Sequence, residues 1–278
     1  MLRSTGNELN SVRRMERPLD DCGKRLKKVV PRGFKIRTIA NDRDIERAAQ
    51  LNTLAYGDEW EGENVRNICG HYPGMSLDDF FFVEEEATGK MVSSLCLIPV
   101  KYSYDGVVLK VAQVECVATL REYRRRGFIR TLMCRFEERV REGGYDLSVI
   151  DGIPYFYRQF GYEYALPLGN ECVIRLDQIP DPEEEAPKNI SIRPLTLEDI
   201  PKVSRLFEQS VSSLSIHVMR NEELWLYQER KKRHRFESFA VKSGGRMVGY
   251  FRLSKSGEAV SILEGSDLNY EGILSVLR

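Results

Sequence analysis

The sequence predicts an α/β (α+β) protein, a mixed sheet flanked by helices, followed by a second and incomplete unit of related build. Three observations carry this reading. Short β-branched runs alternate with segments of helical spacing through residues 34–178. The stretch Val111–Arg141 reads as buried strand, arginine-and-glycine turn and amphipathic helix in succession. Finally, Ile36–Leu51 (IRTIANDRDIERAAQL) is echoed by Ile192–Leu206 (IRPLTLEDIPKVSRL) with one residue fewer in the turn, and GKMV at Gly89–Val92 matches GRMV at Gly245–Val248 in the same register.

Taken in order, residues 1–33 are polar and basic with little periodicity, and are expected to form a flexible extension. A nucleic-acid or partner-binding arm is the sharper alternative for them. Phe34–Ile39 alternates as a strand, and Asn41 or Asp42 can cap a helix that carries Ile45, Ala48, Ala49 and Leu51 and ends at Tyr56-Gly57. Gly57–Gly74 is an acidic and aromatic loop with a short helix. Phe80–Glu84 and Met91–Val100 are strands joined at Thr88-Gly89, and Lys101–Tyr104 turns back at Asp105-Gly106. After the central strand, Gly143-Gly144 stops the helix that follows it, Asp146–Asp151 is a buried strand and Ile153–Phe160 a short helix. Gly161–Ala165 and Glu171–Leu176 are expected to pair as closing strands. Residues 34–178 thus make one domain, 179–189 a Pro- and Glu-rich linker, and 190–278 the second unit.

At 278 residues, 42% hydrophobic and 30% charged, the chain suits a soluble globular protein. Its formal net charge of zero offers no electrostatic case for nucleic acid. Six scattered cysteines without a CxxC pair fit reduced thiols of a cytoplasmic protein, Cys96, Cys116 and Cys134 lying in apolar patterns. His71, His217 and His234 stand apart, so no metal site is expected. No apolar run approaches the ~18 residues of a membrane span, and the N-terminus lacks the apolar core of a signal peptide.

The chemistry concentrates at Arg124-Arg125-Arg126-Gly127. The first N–H groups of a helix lack internal partners and favour an anion. Gly127 permits close backbone approach, and guanidinium groups add charge-assisted hydrogen bonds to phosphate oxygens. A cationic cluster at a helix start otherwise opposes the macrodipole by roughly 0.3–1 kcal/mol per charge.

VATLREYRRRGFIRTLM resembles the acyl-coenzyme A loop of the GNAT superfamily of N-acetyltransferases, with signature [QR]-x-x-G-x-[GA]. Arg124, Gly127 and Ile129 fall on its defined positions; an aliphatic residue like Ile129 is common there in the Eis-like (enhanced intracellular survival) branch. The resemblance implies a GNAT fold with a mostly antiparallel central sheet. It implies acetyl-CoA as cosubstrate, held by Arg124, Arg125, Gly127 and Phe128, with Arg126 outward or assisting. It also implies a bulged central strand whose backbone near Val117, Ala118 and Thr119 pairs with the pantetheine arm and serves the oxyanion. IPYFYRQFGY is similar to the Eis-like x-Y-x-x-F-G-Y motif and makes Tyr157 the proton donor, with Tyr155 and Tyr162 as packing aromatics.

For the base, Glu115 on the central strand is the local candidate, with water as the alternative. Asp58, Glu59 and Trp60, with Glu61 and Glu63, fall where the family walls its acceptor site, and acid plus aromatic suits a cationic amine such as an aminoglycoside, a polyamine or a lysine side chain. Cys116 is read as a core thiol rather than an acyl carrier. In the second unit LNYEGILSVLR replaces REYRRRGFIRTLM; Glu271 before Gly272 would repel a pyrophosphate, so that unit is expected to be a degenerate GNAT-like lobe without its closing strands. The sterol-carrier-like domain of Eis-like proteins has no counterpart in these residues. The resulting expectation is direct transfer of acetyl to a small-molecule amine or lysine, without metal, membrane or nucleic-acid partner and with oligomerisation left open. The rival from another class is a regulatory protein that binds acyl-CoA without chemistry.

Overall fold

In the computed structural model the described residues are 9–14, 30–153, 155–167, 172–180, 189–231, 236–257 and 259–278. The chain divides into two compact units, Met1–Asn170 and Glu171–Arg278. The boundary falls before the expected domain end at 178, because the segment beyond it belongs with the second unit: Arg278 donates to the Pro180 carbonyl at 2.9 Å. Of the expected linker, residues 181–188 lie outside the described residues.

In the first unit, strand β1 (Leu9–Arg14) precedes β2 (Phe34–Thr38) and helix α1 (Asp42–Tyr56). Asn41 caps α1 by accepting the Asp44 N–H at 3.1 Å, and Gly57, at φ 75°, closes it. Helix α2 (Glu59–Ile68) starts on Asp58, whose carboxylate accepts the Trp60 N–H at 2.9 Å. Strands β3 (Phe80–Glu85), β4 (Met91–Tyr104) and β5 (Val107–Thr119) follow. Asp105 and Gly106 both take positive φ, as a tight two-residue hairpin requires, so Lys101–Tyr104 extends β4 without a break. Then come α3 (Phe128–Glu142), β6 (Leu147–Ile150), a 3₁₀ turn at Phe156–Phe160 and β7 (Glu163–Pro167).

The strands lie in the order β2-β3-β4-β5-β6-β1-β7. All neighbours are antiparallel except β5 and β6. Helices α1 and α2 cover one face of the sheet through Ala48, Ala49, Leu51, Val65 and Ile68. Helix α3 covers the other through Phe128, Leu132, Met133, Phe136 and Val140, the residues its spacing predicts.

Three expectations are corrected here. Residues 9–14, placed by their polar composition in a flexible extension, form β1 between β6 and β7. The far edge of β6 would otherwise expose unpaired N–H and C=O groups, which β1 takes up. The expected closing strand at Glu171–Leu176 is not formed: residues 172–175 carry no regular structure, and with Val173 83% exposed the segment has no face to bury. Cys134, read as a reduced core thiol, is disulfide-bonded; it stands half-buried on α3, off the face made by Leu132, Phe136 and Val140. Cys69, Cys96 and Cys116 are free and buried.

The second unit runs β8 (Ile190–Pro194), α4 (Ile200–Val211), β9 (Ile216–Met219), α5 (Glu222–Lys231), β10 (Glu237–Ser243), β11 (Arg246–Ser256), β12 (Ala259–Gly265) and α6 (Tyr270–Leu277). Its four-stranded sheet, β12-β11-β10-β8, repeats the β5-β4-β3-β2 order of the first. The sequence echo falls on matching places: Asp44 and Asp199 each sit at the start of the first long helix, and GKMV and GRMV each lead from the first hairpin turn of their unit into the strand that follows it.

Gly62 fixes how α2 lies against α1. A Cβ there would meet the Thr53 hydroxyl and stand 2.9 Å from the Ala49 carbonyl oxygen. Gly62→Ala is therefore expected to destabilise the first unit by about 1–3 kcal/mol, read as a lower urea midpoint at unchanged slope.

Candidate active site

The site begins where two parallel strands part. Pairing of β5 with β6 runs from Val111↔Leu147 to Gln113↔Val149 and stops there. Two residues farther on, β5 also loses step with β4: Cys96 faces Glu115 and Ser94 faces Ala118, so Cys116 and Val117 together oppose Leu95. This is a bulge with Cys116 at φ 52°. A non-glycine residue in that region costs about 1–3 kcal/mol, so its surroundings must hold it.

They do so through each successive carbonyl. Ser94 Oγ donates to Cys116 O at 3.1 Å, Tyr56 Oη to Val117 O at 2.7 Å and Ser93 Oγ to Ala118 O at 3.0 Å. The serines stand on the β4 side of the strand and Tyr56 at the end of α1. Peptide groups are planar and trans, so an N–H points opposite to the carbonyl before it. The Val117 and Thr119 N–H groups therefore turn away from β4, toward the side on which β6 no longer pairs.

Past β5 the chain makes the arginine turn. Arg125 has φ 64° and Gly127 φ 80°, and Gly127 is the N-cap of α3 without a side-chain hydrogen bond among the described residues. The first N–H groups of α3 thus meet no capping side chain. The three arginines are exposed but differ in engagement. Arg124 is tied to the Thr119 carbonyl at 3.2 Å and the Ala55 carbonyl at 3.1 Å, bracing the turn against α1. Arg126 donates to the Glu122 carbonyl at 3.2 Å and lies over the Tyr123 ring. Arg125 has no protein partner among the described residues and is the cation left for a ligand.

Bulge and turn open into one cleft of about 1010 Å³. Its basic end is lined by Arg124, Arg125, Arg126, Gly127 and Arg130, its middle by Val117, Ala118 and Thr119, and its other end by Glu61, Glu115, Asp151 and Tyr157. Phe128 and Ile129 also line it; the Phe128 ring packs on Phe34 with centroids 4.8 Å apart, leaving its backbone N–H as its contribution. No group of three His, Cys, Asp or Glu side chains suited to a metal occurs among the described residues. No helix among them is long and apolar enough to cross a membrane.

Two ionisable side chains lining the cleft are shifted by burial. Burial pushes the Tyr157 phenol well above its ordinary value, with the nearby Tyr56 and Glu115 adding to the shift, so it stays protonated at neutral pH. Burial likewise raises Glu115; the charges of Asp151 and Glu61 add to this, against the Gln113 amide that donates to it at 2.7 Å. Tyr56, its ring half exposed but its hydroxyl turned inward, is pushed up to about 12 by burial and then by the charge of Glu61.

Of the residues expected from sequence, Glu115, Tyr157, Val117–Thr119 and Arg124–Ile129 converge on the cleft. Asp58, Glu59 and Trp60 do not line it: Asp58 is spent capping α2, and the helix that follows turns Glu61 to the cleft instead. Tyr162 packs in the core with its hydroxyl on Ser148, whereas Tyr155, also expected to pack, is 72% exposed. Reasoning from sequence missed Tyr56, Ser93, Ser94, Arg130, Asp151 and Gly152. Two adjacent serines inside the apolar run VSSLCLI were a legible signal of polar work in a buried strand; the rest carried none. In the second unit the corresponding helix α6 supplies its own acceptor, the Asn269 side chain taking the Gly272 N–H at 2.9 Å with Glu271 in the first turn.

Gly152 has room for no side chain. A Cβ would stand 2.5 Å from Tyr157 Cε2, although the backbone there needs no glycine conformation. Gly152→Ala is expected to displace the ring and destabilise the first unit by about 1–3 kcal/mol, read as a lower urea midpoint. Because the folded pKa of Glu115 lies above its unfolded value, the native state binds the extra proton, and stability falls as pH rises through that window. At neutral pH Glu115→Gln should therefore melt higher than wild type by calorimetry.

Residues 35–165 match the family model of the acetyltransferase (GNAT) domain. Among curated proteins no sequence matches the chain. Among solved structures, a conserved protein of unknown function and probable N-acyltransferase from Enterococcus faecalis V583 superposes with TM-score 0.66 at 16% identity, over 88% of this chain and 60% of that one. A GCN5-related N-acetyltransferase from Kribbella flavida gives 0.64 at 13% identity, over 88% and 60%. Saccharomyces cerevisiae N-myristoyltransferase with bound myristoyl-CoA gives 0.61 at 14% identity, over 99% and 76%. At such identities the likeness is one of fold, and the chain spans about 60% of the length of the first two structures. The match to the acetyltransferase (GNAT) family model over residues 35–165 spans the bulge, the uncapped arginine turn and the cleft between them.

Proposed function

We propose that the first unit transfers an acetyl group from acetyl-CoA to a primary amine by direct attack within a ternary complex. The single observation that carries this reading is the polarity of the cleft, cationic and rich in unengaged N–H groups at one end, anionic with two proton-transfer groups at the other, and bulged between. The pyrophosphate is assigned to the first turn of α3 and Arg125, with Arg124 bracing the loop. The thioester oxygen is assigned to the Val117 N–H. The amine, entering as a cation, faces Glu61, Glu115 and Asp151, which favours polyamine-like or aminoglycoside-like acceptors or a lysine side chain.

In the reaction the amine gives a proton to Glu115, directly or through water, and its lone pair attacks the thioester carbon. A tetrahedral oxyanion forms and collapses with cleavage of the carbon–sulfur bond. The thiolate takes the Tyr157 proton, the second proton of the newly bonded nitrogen passes through water to the tyrosinate, and Glu115 returns its proton to solvent, leaving a neutral amide and free CoA. Cys116 belongs to the core between the sheet and α1, which supports a route without an acyl-enzyme. The second unit is proposed to be a related, non-catalytic lobe: it repeats the strand order, but its helix start is closed by Asn269 and carries Glu271.

The test is free-thiol release from acetyl-CoA across a panel of polyamines, aminoglycosides and a lysine peptide. Amine-dependent turnover is expected, falling about 10²-fold in Tyr157→Phe. Arg125→Ala is expected to weaken CoA binding about 10-fold or more by losing a charge-assisted contact. Tight CoA binding with no turnover on any amine would instead favour the regulatory reading.

A further inference from the structure

The bulge is held from behind by a polar pair in an otherwise apolar core. Ser94 on β4 and Asn52 on α1 are both 0% exposed. The Asn52 amide nitrogen donates to the Ala48 carbonyl at 2.8 Å, which fixes which end of the amide is which, and to Ser94 Oγ at 3.2 Å. With its oxygen already accepting from Asn52, Ser94 directs its single proton to the Cys116 carbonyl at 3.1 Å. Among the described residues the Asn52 carbonyl oxygen finds no partner. As plain filling, such a pair is a poor choice, since a buried unpaired oxygen is costly and aliphatic residues would fit the surrounding cluster. Its placement on the one peptide group whose N–H must face the thioester accounts for it.

We infer that Ser94, anchored by Asn52, is the positioning group for the Val117 N–H, the amide assigned above to the developing oxyanion; the inference rests on that acyl-transfer reading. By accepting from Ser94, the Cys116 carbonyl is pinned toward β4 despite the positive φ of its residue, and the planar trans peptide aims the Val117 N–H into the cleft. A hydrogen bond to a carbonyl also polarises the peptide, making its N–H a stronger donor. Ser93 does the corresponding service for Thr119 through the Ala118 carbonyl, but shares its hydroxyl with Thr119 Oγ1 at 2.8 Å and acts on a residue in regular register. Neither Ser94 nor Asn52 touches the reacting atoms. They act through the backbone they hold.

The test combines kinetics with amide resonances. Ser94→Ala is expected to lower kcat at least about 10-fold, short of the ~10²–10³ for losing an oxyanion donor outright, while the Kd for CoA changes less than about twofold. Ser148→Ala, which removes another buried serine hydrogen bond, to Tyr162, is expected to lower Tm without lowering kcat. Should Ser94→Ala fail to fold, Asn52→Leu keeps the hydroxyl, removes its anchor and should give a smaller loss of the same kind. Independently of any acceptor, the non-cleavable ketone analogue of acetyl-CoA is titrated into ¹⁵N-labelled protein. Wild type should shift both the Gly127 and the Val117 amide, and Ser94→Ala only Gly127. Wild-type kcat in Ser94→Ala, or an analogue that moves Gly127 but not Val117 in wild type, would overturn the inference. Silence at both amides would instead overturn the acyl-CoA reading, and this inference with it.

Discussion

Parting of β5 from β6 after Gln113 is the constraint on which the rest of the first unit depends. A sheet that continued its pairing would have no cleft, and its Val117 and Thr119 N–H groups would be spent on a neighbouring strand. The extra residue at Cys116–Val117 puts β5 out of step with β4, so the strand cannot simply close again. Holding that irregularity takes hydroxyls from both sides, two serines on β4 and the tyrosine that ends α1. Helix α1 thereby has a double task, covering the sheet with alanines and leucine while reaching the bulge with Asn52 and Tyr56.

The same parting sets the electrostatics. Cations gather where α3 begins and carboxylates where α2 begins and β6 ends, with the bulge between them. Burial raises Glu115, and the charges of Asp151 and Glu61 add to that shift. Low polarity around Tyr157 keeps its proton in place. One cleft therefore presents a phosphate-seeking end, a neutral acid and a reluctant carboxylate in line. That sequence of environments follows from where the elements end.

Much of this was legible in the residues. The α3 face, the Asn41 cap, the Asp105-Gly106 turn and the arginine loop depend on local spacing, and local spacing decides them. Where the outcome depended on distant partners, spacing was silent. β1 is polar and unremarkable by composition, and forms because β6 has an edge to fill. The acidic run Asp58–Glu63 showed its charge but not its phase; only with Asp58 committed as a cap does the helix decide that Glu61 faces the cleft. Tyr56 reads as the end of a helix, and its bond to Val117 spans 61 residues.

The uncapped start of α3 has a consequence beyond recognition. A side-chain cap at a helix start contributes about 0.5–2 kcal/mol, and α6 has one in Asn269 while α3 forgoes it at Gly127. An anion seated on those N–H groups completes the helix as a cap would. Occupancy of the first unit is then recorded in how firmly it is folded, rising with the ratio of ligand to its dissociation constant. The second unit, self-sufficient at the same point, is deaf to that signal, so one chain carries both a ligand-dependent helix and its constitutive counterpart.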